Sequence, residues 1–110
     1  MSSVLTDILN GLEQRHGLAV VALGLEASRA RATELEGDMN DPGFWSDQDA
    51  ARKLSQELAE LNREIDAWDK MKTDLIEAKD IAAFAEEGTA EDRSEAGRIV
   101  AELEIRFAAM

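Results

Sequence analysis

Leu54, Leu58, Leu61, Ile65 and Trp68 follow one another at alternating steps of four and three, and Leu75 falls seven residues beyond Trp68. No other feature of the chain constrains its fold as much. That spacing puts every apolar side chain on one stripe of a helix. It is also the seam along which two helices pack at a shallow crossing angle. Lys72 stands where the next seam residue belongs and Met71 sits beside it, which predicts a local phase shift. Ile81 and Phe84 carry the apolar pattern on to Glu86-Glu87-Gly88.

The flanking segments read the same way. Leu18, Val21, Leu25, Ser28, Ala32, Leu35 and Met39 form one stripe, and Val4, Leu5, Ile8, Leu9 and Leu12 a shorter amphipathic piece before it. Gly11 and Gly17 lie between the two pieces, where a first helix can bend or break. Gly88 suits the left-handed position after a helix end. Thr89 and Asp92 then have the spacing of a capping box opening a last helix, along which Ala96, Val100, Leu103, Phe107 and Met110 step by four and three. With one proline and no tyrosine, nothing favours strands.

The expectation is an all-α fold in one domain, residues 1–110: an elongated antiparallel helical hairpin or three-helix bundle with coiled-coil-like packing. Helix one covers about 4–39, with a break near Gly11–Gly17. A corner covers 40–46, helix two about 47–87 and helix three about 90–108. Exposed charges such as Glu60 with Arg63, Asp66 with Lys70 and Asp69 with Lys72 are spaced for weak surface pairs.

Composition narrows the function. Asp and Glu number 24 against 12 Lys and Arg, a net charge of −12. That sign opposes a direct grip on nucleic-acid phosphates or an anionic membrane and favours a protein partner or a cation. There is no cysteine, which excludes disulfides and thiolate metal sites. The most apolar run, Leu18 to Leu25, is far shorter than the roughly 20 residues a membrane span needs. Acidic Asp7 and Glu13 ahead of it do not suit a signal peptide. A cytoplasmic protein is expected.

Two metal readings compete with structural ones. Asp38 to Asp49 has oxygens at its first, third and twelfth positions and Gly43 at its sixth, as in a helix–loop–helix calcium site. Pro42 at the fifth position offers no side-chain oxygen, and Asp49 is shorter than the usual bidentate glutamate. A corner accounts for more of the letters. Pro42 presets φ, Gly43 accepts a positive φ, and Ser46 caps the next helix with Asp49 completing a capping box. Phe44 and Trp45 then plug the end of the hairpin. Glu13 and His16 have the Glu-x-x-His spacing of di-iron bundles, but His16 is the sole histidine, so an exposed polar turn is the better reading. No catalytic residue, metal ligand or cofactor site is assigned.

The stretch DPGFWSDQDAARKLSQELAELNREIDAWDKM, from Asp41 to Met71, resembles the N-terminal domain of the bacterial peptide chain release factor 2 family. The Pro42–Trp45 corner carries the resemblance most specifically, and it extends from about Leu35 to the closing ELEIRF at Phe107. The resemblance implies a non-catalytic domain of a class I translation termination factor acting at UAA and UGA stop codons. It implies as partners the ribosome, through a protein of the large-subunit stalk base, and a GTPase-type release factor. The family's Gly-Gly-Gln and Ser-Pro-Phe motifs are not in these residues, so the chain alone is not expected to be an enzyme. The alternative is a stand-alone helical interaction protein that self-associates through its seams. Exposed apolar surface would also let an isolated fragment form a homodimer.

Overall fold

In the computed structural model, which describes residues 3–110, the protein is all-α. Its helices are α1 (Val4–Ala22), α2 (Leu25–Asp38), α3 (Gln48–Glu86) and α4 (Ala90–Ala109), with a 3-10 turn at Pro42–Ser46. Among the described residues there is no strand. The chain divides into two compact units, one of residues 20–68 and one of residues 1–19 with 69–110.

The unit of residues 20–68 is a helical hairpin. Leu25, Ala32 and Leu35 of α2 and Ala51, Ile65 and Trp68 of α3 are its buried apolar residues. Leu54, Leu58 and Leu61 are half-buried beside them, so the seam read from the sequence is the packed face. Arg31 Nε and NH2 hold both carboxylate oxygens of Glu57, at 2.6 and 3.2 Å, joining the two arms.

The other unit is a three-helix bundle. Leu9, Leu12 and His16 of α1, Met71, Leu75, Ala78, Ala82 and Ala85 of α3, and Ala96, Val100, Leu103 and Phe107 of α4 make its core. Lys79 of α3 pairs with Glu13 of α1 at 3.0 Å, and the Ser3 amide reaches Glu86 at 2.8 Å, so α1 and α3 run antiparallel. Arg106 of α4 pairs with Asp74 of α3 at 2.8 Å. The Arg15 guanidinium lies 4.8 Å from the Phe107 ring centroid, tying α1 to α4.

Four expectations are corrected here. The first break comes at Leu23-Gly24, and Gly11 and Gly17 lie within a continuous α1. A helical glycine costs only about 1 kcal/mol relative to alanine. Burial of Leu9, Leu12 and His16 on that helix outweighs it. At Gly24 the chain takes φ 65° and ψ 40°, a left-handed conformation that glycine adopts without the Cβ penalty. His16 is buried, not part of an exposed turn.

The α3 seam also differs. Met71 is fully buried and Lys72 exposed, the phase shift expected from the sequence. Beyond it the buried positions are Ala78, Ala82 and Ala85, while Ile81 and Phe84 are 39% and 74% exposed. Finally, Gly88 has no positive φ; a side chain there would run into the Asp92 carboxylate. That carboxylate accepts the Thr89 amide at 2.9 Å while Thr89 Oγ1 accepts the Asp92 amide at 3.1 Å, the expected capping box.

Candidate functional site

The corner is built from short-range backbone capping. Asp41 is extended (φ −81°, ψ 124°), and its Oδ1 accepts the Gly43 amide at 2.9 Å, with Pro42 opening the 3-10 turn. The Ser46 hydroxyl donates to the Gly43 carbonyl at 2.7 Å and so is not the cap of α3. Asp47 takes that role, its Oδ1 accepting the Ala50 amide at 3.1 Å. The 3-10 turn consumes Ser46 and moves the cap one residue on. Asp49 pairs with Arg52 at 3.3 Å rather than completing a box, and Gly43 has no positive φ.

Phe44 and Trp45 pack edge to face with centroids 4.8 Å apart. They do not plug the hairpin: the turn has no buried residue, and Trp45 is 54% exposed. Its indole Nε1 instead donates to the Met39 carbonyl at 3.1 Å, satisfying a group left over at the end of α2. Of the residues in the calcium reading, Asp49 is turned to Arg52, while the neighbouring Asp41 and Asp47 carboxylates accept backbone amides. Among the described residues no three His, Asp or Glu side chains converge to hold a metal ion. Glu13 is committed to Lys79.

Charge pairing elsewhere is mostly superficial. Arg98 binds both Glu95 and Glu102, and this raises Arg98 and lowers Glu95 from their ordinary values. The hydrogen bond from Arg31 likewise holds Glu57 below the usual carboxylate range. Asp74 is the most enclosed of these carboxylates. Burial pushes it upward, but hydrogen bonds from Arg106 and Lys70 outweigh that and hold it low.

A carboxyl lowered in the folded state stabilises the fold above its unfolded value, near pH 4, and loses that contribution as the pH falls through its folded value. Asp74→Asn is therefore expected to lower the urea midpoint at pH 7 and to reduce the further drop between pH 4 and pH 2. Urea titrations followed by circular dichroism at pH 7, 4 and 2 check this. An identical pH response in both proteins would mean that the Asp74 cluster contributes nothing.

Alongside this cluster, a shallow groove of about 200 Å³ runs between α3 and α4. Ala78, Ile81, Ile99 and Leu103 line its apolar part, and Asp74, Glu77, Glu102 and Arg106 its charged part. The sequence reading missed it, although Glu77, Ile81 and Phe84 share one helical stripe. A second depression, in the unit of residues 20–68, is lined by Val20, Val21, Gly24, Glu26, Ala27 and Ala30. Among the described residues no helix is long and apolar enough to cross a membrane.

Comparison with known proteins gives this helical architecture its family. The PCRF domain family matches residues 28–110. Peptide chain release factor RF2 of Thermus thermophilus is 41% identical over 63 residues, which is 57% of this chain and 16% of that protein. Peptide chain release factor 2 of Rickettsia bellii is 31% identical over 86 residues, 78% of this chain and 23% of that protein. The same factor of Acholeplasma laidlawii is 35% identical over 68 residues, 62% of this chain and 19% of that protein. The chain thus spans less than a quarter of the length of each of these relatives. Because the family match takes in the α2–α3 hairpin, the corner and all of α4, the chain belongs to the PCRF domain family.

Proposed function

We propose that these residues are the N-terminal, non-catalytic helical domain of a class I peptide chain release factor acting in the cytoplasm at UAA and UGA codons. The observation that carries this reading is the PCRF match over residues 28–110, with relatives that are release factors 2. The chemistry of the chain agrees with a docking role. Carboxylates such as Asp47 and Asp74 serve a helix cap and an ion pair, and the net charge of −12 favours a protein surface over bare RNA. A protein of the large-subunit stalk base and a GTPase-type release factor are the partners this reading assigns. Peptidyl-tRNA hydrolysis belongs to the Gly-Gly-Gln part of such a factor.

A graft tests the proposal. The matching segment of the Thermus thermophilus factor is replaced by residues 28–110, and peptide release is measured on ribosomes programmed with UAA, UGA or UAG. Release at UAA and UGA within a few-fold of the parent is expected, with none at UAG. The 110-residue chain alone should release no peptide. A soluble, helical graft without release activity would overturn the reading.

A further inference from the structure

The groove between α3 and α4 lies apart from the corner and shares Ala78 and Leu103 with the core, and its position in the bundle is informative. On α3, Lys79 lies to one side of the buried seam and pairs with α1. Glu77, Ile81 and Phe84 lie to the other side, beside α4, where no helix of this unit covers them. Among the described residues of this unit, the α3–α4 pair therefore has α1 in one of its two grooves and no helix in the other. Ile81 and Phe84 are 39% and 74% exposed, and Ile99 is half-buried across from Ile81. Spacings of three, four and seven between Glu77, Ile81 and Phe84 form a straight ridge that suits another helix.

Charge decides what kind of helix fits. Asp74 is neutralised by Arg106 and Lys70. Among the described residues Glu77 makes no hydrogen bond or ion pair, and Glu102 faces it across the groove while sharing Arg98 with Glu95. A second copy of this chain would bring another −12 and the same acidic rim, so self-docking here is opposed by repulsion. We infer that this groove receives a basic amphipathic helix of a partner protein, with apolar side chains on Ile81 and Ile99 and lysine or arginine beside Glu77 and Glu102. This deepens the docking function proposed above and rests on it.

The test uses the 110-residue chain with ¹³C-labelled isoleucine and valine methyl groups. It is titrated with an 18-residue amphipathic Leu/Lys helix, with the Leu/Glu counterpart of the same pattern, and with a scrambled Leu/Lys peptide. The Leu/Lys helix should shift the Ile81 and Ile99 methyl signals and leave Val20 and Val21 in place, while neither control does so. Ile81→Lys, at a partly exposed position, should keep the urea midpoint and weaken binding roughly tenfold.

Shifts spread over the whole acidic surface, or equal binding by Ile81→Lys, would overturn the inference. So would movement of the same methyl signals with protein concentration alone, which would make the occupant a second copy. An active graft together with unlocalised shifts would sink the groove and spare the docking domain. Localised shifts with an inactive graft would do the reverse.

Discussion

Leu75→Ala is expected to cost the bundle of residues 1–19 and 69–110 about 2–5 kcal/mol, the usual range for emptying a leucine site in a packed core. Leu75 is wholly buried, together with Met71, and lies in the part of α3 that faces both α1 and α4. Three helices converge there, so the surroundings cannot close the void by moving one side chain. With a urea slope of about 2 kcal/mol per M, a loss of 3 kcal/mol lowers the midpoint by about 1.5 M. Leu61→Ala is the matched comparison. Leu61 has the same side chain on the same helix but is only half-buried, and should cost about 1 kcal/mol. Equal midpoints for the two variants would show that the bundle is not packed around Leu75.

The contrast between those two leucines also shows what the sequence could and could not reveal. From Leu54 to Trp68 the seam was legible because large apolar residues alternate with polar ones, so the stripe has one reading. Met71 against Lys72 was legible for the same reason. After Leu75 the seam passes to Ala78, Ala82 and Ala85, where α3 lies between two neighbours and small side chains fit. Alanine is common on exposed helical faces too, so its burial leaves no mark in the pattern. Ile81 and Phe84, which continue the apolar pattern, therefore look like core in the sequence.

Local chemistry was legible in kind and less so in place. Thr89 and Asp92 formed the box their spacing implies, because nothing nearby competes for those amides. At the corner, Ser46 and Asp47 are adjacent residues with equal cap chemistry, and only the length of the 3-10 turn decides between them. Gly11, Gly17 and Gly24 were similarly alike on paper. What separates Gly24 is its left-handed backbone, whereas the helix around Gly11 is held by buried Leu9, Leu12 and His16. The corner letters identified the family well although Trp45 is exposed and Phe44 only half-buried.

The shifted seam yields the second large effect, and here the pattern-based and structural expectations have opposite signs. If Ile81 were core, Ile81→Ala would cost about 2–5 kcal/mol and Ala82→Leu would be harmless. The structure reverses this. Ala82 is 1% exposed within the three-helix core, so three added heavy atoms must push α1 or α4 aside, at about 1–3 kcal/mol or more. Helix propensity does not interfere, since alanine and leucine are both strong helix formers. Ile81→Ala removes a partly exposed side chain and gains propensity, so a change within about 1 kcal/mol is expected. Phe84→Ala, on the same exposed stripe, should be nearly neutral. Urea midpoints of the three variants, read by circular dichroism, check the order. A destabilised Ile81→Ala beside an unaffected Ala82→Leu would return the seam to the large residues and remove the open groove with it.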